Sequence, residues 1–352
     1  MKKISKVIFM TDGYRGGANT FVNSHMLYLE KNKIKLILID KNPLKTFEKL
    51  SKKIQIIKLD INKNNIKNKK FLKNLLNSKK NEKFYLFITS FAFLIKYFRI
   101  LNEFKKNGNK IILTLHSGVT KFDIKHLLAA FIFSFIYKKI DYLFFGSTSS
   151  KLWWKNLFPW MKIKDSVVKY NGIKLIKKIK IKKINNKMNI SFVGRIEKEH
   201  DPQFFLRIAK EYLKFNHDAK FNIFGDGSLY KILKKKYNTQ NIKFYGWVPK
   251  NFIYKNSHMI IITSPMHNFP YVALEAKSYG IPVISCSKGD IKKIVLNKVD
   301  GYIKYTNSAV EIVELIKKIK NNYKKFSSNS IKRSKKYEVN KFCKIFWNSI
   351  DV

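Results

Sequence analysis

Between Ile260 and Ser285 the chain reads IIITSPMHNFPYVALEAKSYGIPVIS, and few folds accommodate such a stretch. Three isoleucines stop at Thr263, Ser264 and Pro265, as a buried strand of a parallel sheet stops at a loop. Pro270 then stands at the head of a segment whose apolar Val272, Ala273, Leu274 and Ala276, closed by Gly280, predict a helix of about two to three turns. Pro282, Val283, Ile284 and Ser285 give the next strand. Strand, loop, helix and strand make a βαβ unit, whose loop and helix N-terminus lie at the carboxyl edge of the sheet. That edge is where open α/β sheets bind ligands.

Similar units recur along the chain. Lys6–Met10 reads as a strand, Thr11–Asn19 (TDGYRGGAN) as a glycine-rich turn opening a helix over Thr20–Lys31, and Lys35–Asp40 as a second strand. Gly13, Gly16 and Gly17 do not reproduce the G-x-G-x-x-G spacing, so a nicotinamide cofactor is not indicated. Two roles stay open for these glycines: a tight turn, or backbone N–H groups approaching an anionic or sugar ligand. Further strands are expected at Ile54–Leu59, Phe84–Thr89, Lys110–Leu115, Ile140–Phe145 and Val167–Tyr170. His116 follows the third of these and precedes Ser117 and Gly118, a position suited either to a site or to a plain loop.

Leu175–Lys187 (LIKKIKIKKINNK) is basic, lacks Gly and Pro, and separates two series of βα units. It reads as a linker. A new series follows with strands at Asn189–Val193, Lys220–Phe224 and Ile242–Tyr245 and a helix over Pro202–Phe215. The closing segments, Ala309–Lys325 and Ser328–Ile350, read as helices. The expected organisation is α/β: a Rossmann-like doubly wound domain over residues 1–174, the linker over 175–187, and a second such domain over 188–325. A C-terminal helical segment, 326–352, returns to the first domain. Two such halves facing a cleft suit a nucleotide in one and an acceptor in the other, and 352 residues are enough for both cores.

The 72 Lys and Arg against 23 Asp and Glu give a formal charge of +49, most of it lysine. Coding bias accounts for such a composition; a functional reading is a field favouring phosphates, acidic lipid surfaces or nucleic acid. No aromatic–basic strand signature or zinc-ligand spacing accompanies the charge, which argues against nucleic acid as partner. Cys286 and Cys343 are the two cysteines, and with no signal-peptide pattern a reduced, cytoplasmic protein is expected. Leu127–Tyr137 (LLAAFIFSFIY), the most apolar run, spans about 16 Å as a helix against about 30 Å of bilayer core. It is flanked by Lys125, His126, Lys138 and Lys139. It and Phe91–Leu101 (FAFLIKYFRIL) are either buried helices or segments docking on the inner face of the plasma membrane, aromatics at the headgroups and lysines on anionic lipid.

Taken together, these motifs resemble the GT-B glycosyltransferases, and in particular the retaining glycosyltransferase family 4. The resemblance rests on Gly16–Ala18, LTLHSG at Leu113–Gly118 and YNG at Tyr170–Gly172. In the second half it rests on FVGRIEKEHDP at Phe192–Pro202, IFGDGS at Ile223–Ser228, FYGWVP at Phe244–Pro249, and Ile260–Ser285. It implies transfer of a sugar from a nucleotide sugar, a UDP-sugar above all, to a glycan or lipid-linked glycan of bacterial surface polysaccharide such as O-antigen, capsule or lipopolysaccharide. Neither cofactor nor metal is expected, and there is no Asp-x-Asp to hold one.

Breaking an anomeric C–O bond builds negative charge on the departing diphosphate, which cations and N–H dipoles must meet. By resemblance Arg195, after Gly194, is the phosphate arginine. Where the family has a lysine, this chain has His200, unless the register shifts to Lys198. Glu275 matches the second of a glutamate pair seven residues apart and is the ribose ligand; the first is replaced by His267. The N–H groups of Phe269, Tyr271 and Val272, with Asn268 before them, line the helix start facing sugar and diphosphate. Trp247 and Val248 fall where the base is held, and His116, Gly16 and Gly17 fall beside the transferred sugar and diphosphate. The resemblance further implies same-face attack, with the leaving diphosphate helping to deprotonate the acceptor. The two histidine replacements keep open a catalytically weak GT-B partner or scaffold protein, and a sugar-nucleotide epimerase is a further alternative.

Overall fold

A computed structural model of the protein describes residues 6–11, 16–43, 47, 50–60, 66–76, 83–116, 124–163, 168–176, 179–185 and 187–350. Gly13, Ser117, Gly118, Val167 and the side chains of Lys125 and His126 lie outside the described residues. The chain divides into two compact units, one of residues 1–172 with 339–352, the other of residues 173–338.

In the first unit β1 (Lys6–Met10), β2 (Lys35–Asp40), β3 (Gln55–Lys58), β4 (Phe84–Ile88), β5 (Lys110–Leu115) and β6 (Tyr142–Phe145) pair in the order β3-β2-β1-β4-β5-β6. Every pairing is parallel. The central strands KVIFM and FYLFI are buried nearly throughout, because a parallel sheet is covered on both faces. Between them run α1 (Gly17–Lys31), α2 (Ile66–Leu76), α3 (Phe91–Lys96), α4 (Phe98–Lys106), α5 (Ile124–Ile136) and α6 (Thr148–Leu157).

The second unit repeats the plan with β7 (Met188–Val193), α7 (Pro202–Leu213), β8 (Ala219–Phe224), α8 (Tyr230–Tyr237), β9 (Ile242–Gly246), α9 (Lys250–Lys255) and β10 (Met259–Ile262). The short β11 (Met266–His267), α10 (Tyr271–Ser278), β12 (Val283–Ser285), the short β13 (Lys288–Gly289), α11 (Ile291–Ile294) and β14 (Gly301–Ile303) complete it with α12 (Ala309–Asn321) and α13 (Tyr323–Ser334). The main sheet runs β14-β12-β10-β7-β8-β9, again all parallel. Counted within each unit the order is the same, so both are Rossmann-like, and the fold is α/β of the GT-B kind, as the sequence implies.

The expected βαβ unit at Ile260–Ser285 is β10, α10 and β12, with Ile260 opposite Val283 and Ile262 opposite Ser285. Some boundaries differ from expectation. Residues 175–187 are counted within the second unit, where Ile181 and Ile184 pack on the core. There the Lys182 ammonium bonds the carbonyls of Tyr254 and of Ser257, the latter at 2.6 Å. The expected helix over 328–350 is two helices, α13 and α14 (Val339–Asn348), parted at Lys335–Tyr337. Only α14 belongs to the first unit. It lies on α1, with Phe346 against His25 (4.5 Å between ring centres) and Phe21 (5.8 Å). A Cβ at Gly172 would come within 2.6 Å of the Val339 Cα, so the glycine of the YNG motif makes room for the chain's return.

The two apolar segments of the first unit differ. Phe91–Leu101 is broken at Tyr97, and Phe93, Leu94, Tyr97 and Leu101 are core. Helix α5 buries Ala130 and Phe133 and leaves Leu127, Leu128, Phe131, Ile132 and Phe135 exposed.

Candidate active site

The strand order of the second unit reverses between β7 and β10, and the loops leaving these two strands carry most of the expected donor-site residues. After β7 the chain passes through Gly194 and Arg195 to a short 3-10 turn, Lys198–His200, and then to Asp201. Asp201 is left-handed (φ 45°), and its carboxylate accepts the Phe204 N–H at 3.0 Å, so it starts α7 with Pro202 behind it. The Thr263 hydroxyl, just past β10, bonds the carbonyls of His200 (3.0 Å) and Asp201 (2.8 Å), tying the two loops together.

The loop after β7 is also held from the β8 side. The Gly194 N–H donates to the Phe224 carbonyl (3.0 Å) and the Ile196 N–H to that of Asp226 (2.9 Å), while the Ser228 N–H donates to Glu197 (2.8 Å). Gly225 lies at φ +133°, and a Cβ there would fall 1.8 Å from the Gly194 carbonyl oxygen. Only glycine allows that approach. The loop after β10 is fixed by β11 and β13, which pair Met266 with Lys288 and His267 with Gly289, and by Asp290 N–H donating to the Asn268 carbonyl at 3.0 Å.

The Arg195 guanidinium is 63% exposed and pairs with Glu199 at 3.2 Å. An exposed pair of this kind contributes about 0.3–0.5 kcal/mol, so the guanidinium can exchange partners readily. Lys198 is exposed. His200 and His267 face each other with ring centres 5.7 Å apart. The His200 Nε2 is buried and finds no hydrogen-bond partner among the described residues. Desolvation, then the Arg195 charge, lowers the His200 pKa. Desolvation, then His200 and Arg195, lowers that of His267 to about 4. Both are neutral imidazoles at neutral pH, able to donate or accept a hydrogen bond, and Arg195 and Lys198 are among the cations at this edge.

Pro270 leads into α10, whose opening N–H groups have no acceptor earlier in the helix and point along its axis. Tyr271 and Phe269 are buried, and Val272 is partly so. Glu275, in the middle of α10, accepts Lys250 Nζ at one carboxylate oxygen and the Tyr254 hydroxyl at the other, each at 2.7 Å. A carboxylate offers about four lone-pair directions, so these bonds orient Glu275 and leave capacity for a diol. Lys250 and Tyr254 were not singled out by the sequence reading; their i, i+4 spacing on the helix after Pro249 was the available signal. Trp247 is 50% exposed, and Val248 is partly buried.

His116, Gly16 and Gly17 belong to the first unit. The His116 ring meets Phe21 edge-on at 4.7 Å, and burial lowers its pKa to about 4. A Cβ at Gly16 would meet no atom within 4 Å, so packing does not demand glycine there. Among the described residues no group of three or more His, Cys, Asp or Glu side chains could hold a metal ion.

Two parallel Rossmann-like units with the ligand edge built at a switch point define a GT-B fold, and comparisons with solved structures agree. Anabaena HepE, solved in complex with UDP-glucose, superposes with a TM-score of 0.77 at 12% identity, covering 99% of this chain and 100% of that one. The sucrose-phosphate synthase of Thermosynechococcus elongatus gives 0.75 at 13% identity over 98% of each chain. The lipopolysaccharide outer core galactosyltransferase WaaB gives 0.66 at 19% identity over 98% of this chain and 99% of that one.

Residues 174–337 match the family model of glycosyl transferases group 1, which spans most of the second unit. A Klebsiella pneumoniae protein described as an uncharacterized 41.2 kDa protein in the cps region is 27% identical over 201 residues, 51% of this chain and 54% of the relative. An uncharacterized glycosyltransferase of Haemophilus influenzae is 27% identical over 177 residues, 47% of this chain and 50% of the relative. The chain spans about half the length of these two curated relatives.

Proposed function

We propose that the protein is a retaining, metal-independent glycosyltransferase of the family 4 type, moving a sugar from a UDP-sugar to a glycan or lipid-linked glycan in bacterial surface polysaccharide synthesis. It would work at the inner face of the plasma membrane. The observation that carries the proposal is the convergence of Arg195, His200, His267 and the head of α10 at the switch point of a sheet that matches group 1 glycosyl transferases. The polysaccharide setting draws on the cps-region relative and on the galactosyltransferase sharing the fold.

In this reading Arg195 and Lys198 meet the diphosphate, whose charge grows as the anomeric bond breaks. His200, with its Nε2 unused, donates to a phosphate oxygen. His267, Asn268 and the N–H groups of Phe269, Tyr271 and Val272 meet the sugar and diphosphate, and Glu275, steadied by Lys250 and Tyr254, accepts the ribose hydroxyls. Trp247 and Val248 lie against the base. Gly16, Gly17 and His116 serve the transferred sugar from the first unit. The leaving diphosphate takes the acceptor proton on the face it departs from.

Nucleotide release from a panel of UDP- and GDP-sugars, with and without glycan acceptor, tests the proposal. Arg195→Ala is expected to lower turnover about 10²- to 10³-fold while leaving the fold intact, the loss typical of one oxyanion-type contact. Near-normal turnover in that variant would remove Arg195 from the mechanism, and turnover without acceptor would favour an epimerase.

A further inference from the structure

Helix α5 is apolar on every side from Leu127 to Ile136, apart from Ser134. Its inner face, with Ala130 and Phe133, is core; Ile124, Leu127, Leu128, Phe131, Ile132 and Phe135 form an exposed stripe, from 82% exposed at Ile124 to 41% at Leu127 and Ile132. Their spacing of i, i+3, i+4, i+7, i+8 and i+11 puts them on one side of the helix. Trp160 extends the stripe: its ring stacks on Phe135 at 5.4 Å, its N–H donates to the Ser134 hydroxyl at 3.0 Å, and it remains 45% exposed. A contiguous apolar surface of this kind, otherwise costly in water, marks an interaction site.

What covers it follows from the charge around it. The exposed Lys138 and Lys139 follow the helix directly, and the exposed Lys155 and Lys162 flank Trp160 in the chain. Over residues 124–163 the sole acidic residue is Asp141, and it is engaged by Lys105 (3.2 Å) and Lys110 (3.2 Å). An apolar stripe, an indole at its margin and lysines without an acidic partner among the described residues suit a surface that is hydrocarbon beneath and anionic on top. The helix has 13 residues, about 20 Å, too short to cross a bilayer and suited to lying in its plane. A protein groove would have to match both the stripe and the exposed lysines that adjoin it in the chain, whereas a bilayer supplies that layering without specific complementarity.

We infer that α5 with Trp160 docks the first unit on an anionic lipid surface, the stripe entering the headgroup–acyl boundary and Lys138, Lys139, Lys155 and Lys162 meeting lipid phosphates. The purpose of this docking rests on the proposed lipid-linked acceptor; the docking itself does not. The full chain is mixed with phosphatidylcholine vesicles, with and without phosphatidylglycerol, at low and high salt, and sedimented. Binding to the anionic vesicles is expected, weakened by salt, with partition about tenfold lower in Leu128→Glu/Phe135→Glu and the preference for anionic lipid reduced in Lys138→Ala/Lys139→Ala. All four positions are exposed, so both variants should fold. Absence of vesicle binding, or binding indifferent to the first variant, overturns the inference. So does self-association that the same variant abolishes, because a second copy would then cover the stripe. UDP-sugar affinity, read in parallel, separates failure of docking from failure of the proposed activity.

Discussion

Replacing Gly225 by alanine should damage the site through its backbone alone. At φ +133° an L side chain is strained, and the new Cβ would fall 1.8 Å from the Gly194 carbonyl oxygen, where contacts under 3.0 Å are essentially never tolerated. One strand end must therefore move by more than about 1 Å, and Gly194 is bonded directly to Arg195. Backbone strain of this kind costs about 1–3 kcal/mol, which for a unit of this size lowers its unfolding temperature by roughly 2–12 °C. A displacement of about 1 Å at a positioning group costs up to about 10²-fold in rate. Gly194→Ala is the control for stability: its Cβ would meet only Phe192 ring carbons at 3.8 Å, an ordinary contact. Thermal unfolding by circular dichroism should separate the two variants, and sugar-nucleotide turnover should fall in Gly225→Ala. If Gly225→Ala unfolds with Gly194→Ala and turns over like the parent, the packing of the β7 and β8 loops does not hold Arg195 in place.

The buried Asp300 carboxylate accepts hydrogen bonds from Lys277 Nζ at 2.5 Å and the Leu296 N–H at 2.8 Å, and forms an ion pair with Arg333, whose Nε lies 2.6 Å away. Asp300→Ala should destabilise the second unit by about 3–5 kcal/mol, since it leaves a buried ammonium uncompensated. Lys277→Met should cost less, because Arg333 and Leu296 still cover Asp300; equal losses in urea unfolding would contradict this. The depressed pKa of His200, set among Arg195, Glu197, Glu199 and His267, gives UDP binding a pH dependence. A bound diphosphate raises that pKa, so binding takes up a proton and affinity should rise as pH falls below neutrality. Calorimetry in buffers of different ionisation enthalpy should show the uptake, and His200→Asn should abolish it; an unchanged uptake would place the proton elsewhere.

The order of elements was legible because parallel strands buried on both faces must be written as apolar runs, and their stops as Gly, Pro, Ser and Thr. Ile260–Ser285 shows this at its strongest: β10, α10 and β12 lie where the isoleucines, Pro270, Gly280 and Val283 put them. Arg195, His200, His267 and Glu275 were singled out by the resemblance to the family 4 motifs rather than by any local pattern. The sequence did not mark the partners. Lys250 and Tyr254 reach Glu275 across 25 and 21 positions of chain, and Thr263 reaches His200 across 63. Such bonds depend on which strands become neighbours, and no local pattern encodes that. The charge state of the two histidines belongs to the same class. Residue type gives an imidazole its ordinary pKa, but only packing removes the water, and desolvation holds His267 at about 4. The apolar helix α5 makes the point in reverse: its composition fits a buried helix and an interfacial one equally, and its exposed side appears only once neighbours such as Phe91 and Trp154 have covered Phe133 and left Leu128, Phe131 and Phe135 outside.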